Sequence, residues 1–477
     1  MNYRNSCLLT CCVLTLLGFC LPKLHAQAPT APVPPDTSTP AAPSSATSAA
    51  TTSLIAFAQA LAEVKAGRFV QAIAILDALP PATTPDGAKA LQLVIAGVQY
   101  RWAQSLRDKN PAQALSHSEA ALAIDRMLRP NQAANDLHEA GIASLNLNQY
   151  SKAIGFFNQA LVLYHQGGDK AGQARALHNM GIAYDESSQY SKAIAIHQQA
   201  LTVFEGISDK QGEASTLLEI GVAHGGLGQY SEAIDFYQQA LLIFQQIADK
   251  DGQAMTLNNM GLLYRSLGQY DKAIDFYQQA LPIYQGVGDK QKEANTLSSL
   301  GTMFIDLSQY NKALTFLQQE LILRRQSGSK KGEARTLSNL GLVSLNLNQY
   351  STAIGFYQEA LPIYQQAGDK GEQAKVLNNM GAAYNNLRLA DKDVSHYSRA
   401  IEFYQRALPL LRQIADKTEE ARTLSNIGLA YLNLRQYSKA VDSLQQASSA
   451  YQKLGDKDGE ANTLNNIDYA RKHLENH

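Results

Sequence analysis

Asparagine recurs in this chain at a spacing suited to recognition rather than to bond breaking. Two residues before each glycine of a repeating column stand Glu139, Asn179, Glu219, Asn259, Ser299, Asn339, Asn379 and Asn426, and Asn466 continues the series. An asparagine amide offers a donor and an acceptor together, so a ladder of them can hold the backbone of an extended peptide whatever its side chains. Four residues earlier, one helical turn back on the same face, are Arg175, Ser215, Met255, Asn295, Arg335, Lys375, Arg422 and Asn462. Arg335, Lys375 and Arg422 are successive, and with Asn346, Asn386 and Asn433 further along they make a cationic, amide-rich C-terminal half. Glu139, Asp185, Glu186 and Glu219 make the N-terminal half acidic. Arginine and lysine form charge-assisted bonds to carboxylates, so an acidic extended segment is the expected ligand of the C-terminal half. A solvated charged face gives the same pattern and is the plainer alternative.

Catalytic and metal chemistry find little support. The histidines are scattered, and apart from His473 and His477 at the last residues none pairs with a second at H-x-x-x-H spacing. His197 and His224 fall in aromatic columns, and His138 and His178 beside the amide slot, so they read as packed or surface residues. Gly225-Gly226-Leu227-Gly228 ends a helix and cradles no phosphate, and no G-x-S-x-G, P-loop or G-x-G-x-x-G occurs. Asp391-Lys392-Asp393-Val394-Ser395 with Glu402 matches part of a calcium loop, but His396 stands where its glycine is needed. The expectation is therefore no catalysis, no metal and no cofactor. A formal net charge of -1 gives no reason to expect nucleic acid.

The elements that position these residues follow from a 40-residue period. Gly141, Gly181, Gly221, Gly261, Gly301, Gly341, Gly381 and Gly428 form one column, and Tyr150, Tyr190, Tyr230, Tyr270, Tyr310, Tyr350, Tyr397 and Tyr437 another. A fixed period of this size signals a stacked helical solenoid. One unit reads Leu257, Met260, Gly261, Tyr264, then Tyr270, Ala273, Tyr277 and Ala280. Gly261 and Ala273 are expected to let facing backbones approach, with the larger residues filling the space around them. The residue after each column tyrosine, such as Ser151, Ser191 or Asp271, is an N-cap type and is expected to start the second helix. Asp169, Asp209, Asp249, Asp289, Asp369, Asp416 and Asp456 are expected to cap the first helices, with Ser329 in the same role. Pro282, Pro362 and Pro409 should kink their helices. The seven extra residues Leu389 to Ser395 span about two turns and predict a longer start to the second helix, capped by Asp391 or Asp393.

This pattern closely resembles the tetratricopeptide repeat (TPR), with leucine where that family's motif has tryptophan. The resemblance is to the 40-residue subclass, as in the repeats of GoLoco scaffolds, kinesin light chains and bacterial TPR-CHAT chains. It implies an all-α, right-handed solenoid whose first helices line a concave groove. It also implies that the amide slot points into that groove and that the ligand is a protein or peptide segment. The expected groove residues are Asn179, Asn259, Asn339, Asn379, Asn426, Arg335, Lys375, Arg422, Asn346, Asn386 and Asn433.

Residues 1–26 read as an export signal: Arg4, an apolar run from Cys7 to Cys20, then Leu24-His25-Ala26. The run is shorter than the roughly 20 residues of a membrane span. Cleavage after Ala26 is expected, since cutting after Ala28 would leave Pro29 just beyond the cut; a lipid-bearing Cys20 is disfavoured by bulky Phe19 before it. All 4 cysteines lie in this segment, so the exported chain would carry no thiol, as suits an oxidising compartment. Residues 27–53, rich in Pro, Ala, Ser and Thr, read as a disordered linker. Residues 54–130 read as degenerate capping repeats, 131–457 as eight TPR-like units, and 458–477 as a capping helix. The chain is thus expected to be a periplasmic or secreted bacterial scaffold or adaptor with no membrane span once the signal is cut. The alternatives are a targeting arm for an enzyme such as a peptidase on a separate chain, or a structural spacer.

Overall fold

The computed structural model describes residues 45–79, 85–391 and 393–475. The expected signal segment and the first part of the linker lie outside these. The described residues form helices and turns, with no strand among them. They divide into two compact units, one up to Ala248 and the other from Asp249.

In the first unit α1 (Ser45–Lys65), α2 (Phe69–Asp77), α3 (Pro85–Leu106) and α4 (Pro111–Leu128) precede the regular repeats. There follow three antiparallel pairs: α5 (Pro130–Asn146) with α6 (Tyr150–Gln166), α7 (Lys170–Glu186) with α8 (Tyr190–Gly206), and α9 (Lys210–Gly226) with α10 (Tyr230–Gln246). The helix α1 begins inside the segment expected to be linker. Ala46, Ala49 and Ala50 there are strong helix formers, and the alternating Pro that marks the earlier linker has ended.

The second unit continues the rule. It contains α11 (Lys250–Ser266), α12 (Tyr270–Val287), α13 (Lys290–Asp306), α14 (Tyr310–Gln326), α15 (Lys330–Asn346) and α16 (Tyr350–Ala367). Beyond these are α17 (Lys370–Asp391), α18 (Ser395–Gln413), α19 (Lys417–Asn433), α20 (Tyr437–Leu454) and α21 (Lys457–Leu474). The class expected from the sequence, an all-α solenoid of helix pairs, is the one observed.

The first helices are capped as their sequence requires. Asp209 Oδ1 accepts from Gly212 N at 3.0 Å, Asp289 from Lys292 N at 3.0 Å and Asp456 from Gly459 N at 2.9 Å. Ser329 departs from expectation, since its shorter side chain makes no cap bond. The second helices differ too. Their N-cap is a glutamine, such as Gln189 or Gln349, which makes no side-chain cap bond, and the column tyrosine is the first helical residue. The Ser or Asp that follows the tyrosine is two positions too late to cap. The turn is set instead by the residue before the glutamine, which takes a left-handed conformation at Ser188, Gly268, Ser308 and Asn348.

Each column glycine faces a ring or leucine of its partner helix, not the expected alanine backbone. A Cβ on Gly261 would lie 2.7 Å from Tyr277 Cε1, and one on Gly301 2.7 Å from Leu317 Cδ2. The alanine column, with Ala273, Ala313 and Ala353 fully buried, fills the core beside this contact. Helices α12, α16 and α18 run unbroken through Pro282, Pro362 and Pro409. These prolines are exposed, at the column of Val162, Leu242 and Ile322, where water can take the carbonyl that proline leaves unpaired.

The seven-residue insertion lengthens the first helix rather than the start of the second. The helix α17 has 22 residues against 17 in α15. Where other units have a left-handed turn residue and glutamine, this one continues Leu387-Arg388-Leu389-Ala390, all good helix formers, so the helix does not stop. The helix α18 starts only two residues before Tyr397, and Asp393 Oδ1 accepts from Ser395 N at 2.9 Å. Ala400 and Tyr404 keep their core phase and are buried.

A polar face on the first helices

In the second unit the amide slot lies on the face of the first helices that is neither sealed nor fully open. Asn259, Asn339, Asn379 and Asn426 are all half-buried. Among the described residues Asn259, Asn339 and Asn426 make no hydrogen bond within the chain, and Asn379 lies against the Tyr357 hydroxyl without bonding it. The residue just before the slot has the structural role: Asn378 Nδ2 donates to Thr423 Oγ1 at 2.8 Å, and Thr296 Oγ1 approaches Asn258 Oδ1 at 3.4 Å. The ladder is thus split between a column that ties neighbouring first helices and a column left for something else.

One cavity of about 320 Å³ opens on this face, lined by Arg265 of α11, Asn295, Ser298, Ser299 and Thr302 of α13, and Arg335 and Asn339 of α15. It brings together Arg335 and Asn339 of the expected residues. Ser299 and Thr302 donate their hydroxyl protons back to the helix carbonyls of Asn295 and Ser298, at 3.2 Å and 3.0 Å. The charge of the cavity comes from its two guanidiniums. Arg265 is 3.4 Å from Asp306, and Arg335, more than half exposed, is 3.9 Å from Glu320 Oε1.

Glu320 and Arg324 of α14 are fully buried beneath this wall. Their columns hold alanine and an aromatic or leucine in the other units, as in Ala280 with Tyr284 and Ala360 with Tyr364. Arg324 Nε donates to Glu320 Oε1 at 3.1 Å, and its Nη2 donates to Asn295 Oδ1 at 2.8 Å. Burial raises the Glu320 carboxyl above its ordinary value, and Arg324 opposes that shift. The sequence carried a signal for this pair in the double break of column, and for Thr302 in its place three residues after the slot. That column also holds Leu262, Leu342 and Leu429, of which Leu262 and Leu429 are exposed.

The remaining expected cations and amides are not gathered there. Lys375 bonds Glu372 Oε1 at 2.7 Å, and Arg422 pairs with Glu419, each three residues back on its own helix. The C-terminal half is therefore less cationic than its column of side chains suggests. Asn346 turns its Nδ2 to the Leu342 carbonyl at 2.9 Å, Asn386 is half-buried and Asn433 exposed.

In the first unit the slot is busier. Asn179 Nδ2 lies 3.0 Å from His138 Nε2, which is the plainer role for that amide. His178 Nδ1 is 3.1 Å from Thr216 Oγ1, and His197 Nε2 is 3.1 Å from Asp185 Oδ2 with its ring packed on Gly181. Burial lowers His138 to about 4 and His178 to about 3, so both are neutral donors or acceptors. Burial also raises Asp185 to about 7, with Glu186 adding to it, and Glu219 to about 7, with Asp185 and Glu186 adding. The N-terminal acidity expected from sequence is thus only partly expressed at neutral pH. Among the described residues no group of side chains could hold a metal ion, and no helix is long and apolar enough to cross a membrane.

Residues 212–286, 292–366 and 372–453 match the tetratricopeptide repeat family model, and residues 90–240 match that of soluble NSF attachment protein, SNAP. No curated protein is matched in sequence. Among solved structures, the chain is similar to a signal transduction ATPase with a tetratricopeptide repeat sensor from Pyrococcus horikoshii. The identity is 16% and the TM-score 0.54, over 76% of this chain and 55% of that one. The apo quorum sensor NprR from B. thuringiensis is 19% identical at TM-score 0.46, over 74% of this chain and 97% of that one. A putative kinesin light chain from Podosopora anserina is 17% identical at TM-score 0.35, over 40% and 95%. Helix pairing, the repeating glycine and tyrosine columns, the tetratricopeptide repeat family model and the Pyrococcus structure agree: the chain is a tetratricopeptide repeat protein with the all-α solenoid fold of that family.

Proposed function

We propose that this chain is a protein-binding scaffold that holds an extended peptide segment across the first helices of its second unit. The observation that carries this reading is the set of half-buried amides at Asn259, Asn339 and Asn426, which make no hydrogen bond of their own among the described residues. A half-buried amide with no partner in the chain can exchange its water for a peptide backbone, donating and accepting at once, at little net cost. Exposed Leu262 and Leu429 beside them supply apolar contact for alternate side chains. Arg265 and Arg335 at the 320 Å³ cavity favour an acidic side chain or a terminal carboxylate in that segment. A partner chain would bring any catalysis associated with it.

The test is capture of partners from envelope extract by the mature chain, compared with an Asn339→Ala, Asn379→Ala, Asn426→Ala variant. Loss of the wild-type partners in the variant is expected; retention of all of them would overturn the groove reading, and capture of nothing at any salt concentration would favour a spacer. Export through the signal at residues 1–26 belongs to the same proposal and rests on sequence alone. N-terminal sequencing of the protein from an envelope fraction should begin at Gln27, and an N-terminus at Met1 in that fraction would show a retained anchor.

A further inference from the structure

The buried pair on α14 has a bearing on the groove that its position in the core conceals. Glu320 is fully buried and Arg324 nearly so, and neither touches the cavity directly. Each nevertheless holds a side chain that does. Arg324 occupies the carbonyl oxygen of Asn295, at 2.8 Å, which leaves the Asn295 Nδ2 to donate elsewhere, and Asn295 lines the cavity. Glu320 lies 3.9 Å from the exposed Arg335 guanidinium and so biases that long side chain toward one side of the opening. Arg265, on the opposite side, is similarly placed by Asp306. Glu320 and Arg324 cancel each other, and Arg265 and Arg335 against Asp306 leave one positive charge in excess, so the pair contributes orientation rather than net charge. A single carboxylate balances that excess, whereas a phosphate monoester, carrying about -1.5 to -2, would overshoot it.

We propose that Glu320 and Arg324 are positioning residues which, from the core, set the preference of this cavity for a carboxylate over a neutral amide. The inference rests on the groove reading above and adds to it the residues that decide specificity there. A second observation in the first unit shows that the contact is separable from the charge. Tyr164 stands in the Arg324 column, and its hydroxyl donates to Asn135 Oδ1 at 2.8 Å, with Asn135 in the Asn295 column. Tyrosine can therefore hold this asparagine by its oxygen, as arginine does. Phenylalanine, present in the same column at Phe204 and Phe244, cannot.

The full chain is titrated, by fluorescence anisotropy, against short labelled peptides alternating Ala with Glu or Ala with Gln, each ending in a free carboxylate or a carboxamide. The variants are Glu320→Ala with Arg324→Phe, and Glu320→Ala with Arg324→Tyr. Both carry residues native to other repeats of the chain, and helix content by circular dichroism confirms that they fold. Wild type should favour Glu over Gln peptides by about tenfold or more, as expected for a charge-assisted contact. The Phe variant, which keeps the cavity's net charge but loses the orientation, should lower that ratio at least severalfold while leaving Gln-peptide binding unchanged, and the Tyr variant should regain part of it. A preference that follows the terminal group identifies a chain terminus as the carboxylate, and one that follows Glu identifies a side chain. The proposal is overturned if the Phe variant keeps the wild-type ratio or weakens both peptides equally, since either result makes the pair structural only. It also falls if a phosphoserine peptide binds wild type more tightly than the Glu peptide. A wild type that binds both peptides without discrimination leaves the amide ladder standing and removes its acidic preference. A wild type that binds neither removes the groove reading itself.

Discussion

Glu320 and Arg324 illustrate how much a single residue's environment decides. Truncating one partner leaves the other buried and unpaired, so Arg324→Ala should lower unfolding free energy by about 3–5 kcal/mol in denaturant titration. Replacing both by residues that other repeats carry in these columns removes the desolvated charges together. Glu320→Ala with Arg324→Phe should therefore be neutral or stabilising by about 1–4 kcal/mol in the same measurement. Glu219 makes a complementary case in the first unit. Its carboxyl is raised by burial to about 7 from an ordinary 4.5, so it binds its proton more tightly folded than unfolded. The stability that follows is present below the unfolded value and is lost as pH rises through about 7. Glu219→Gln should leave the thermal midpoint unchanged at pH 4. At pH 8 it should raise stability by about 1–2 kcal/mol, a figure reduced for screening because the side chain is only half-buried.

At the scale of the helix, caps and turns set where each element begins. Asp209→Ala should cost about 1 kcal/mol because it removes the bond to Gly212 N. Ser191→Ala, two positions past the true cap of α8, should change stability by less than about 0.5 kcal/mol. Equal losses in the two variants would contradict the assignment of Gln189 as the cap. Ala415 adopts φ 59°, so Ala415→Gly should relieve left-handed strain and stabilise by about 0.5–1 kcal/mol in thermal melts. These details show which parts of the fold were legible in the sequence. The Asp caps were, because the bond they make is three residues away and needs no tertiary information. The direction of the insertion after Arg388 was not, since lengthening either helix by whole turns keeps Ala400 and Tyr404 on the core side. The amide slot was legible as a column, but its cavity was not, because Arg324 and Asn295 meet across 29 residues of sequence and a helix turn. Lys375 and Arg422 looked free as members of a column, and only the rotamers on α17 and α19 bring Glu372 and Glu419 onto them.

For the molecule as a whole, stability accumulates from neighbour to neighbour. Heat unfolding should accordingly be broad, with a calorimetric enthalpy larger than the van't Hoff value; equality of the two would mean that all units melt as one. The same repetition has a consequence for whatever lies along the amides. A strand resting on identical rungs can slip by one rung at almost no loss, so a perfectly regular array would bind in several interchangeable offsets. The single unit in which alanine and an aromatic give way to Glu320 and Arg324 ends that degeneracy. A bound segment would have one address on the surface, fixed by its one acidic group, and every other side chain would be read from there.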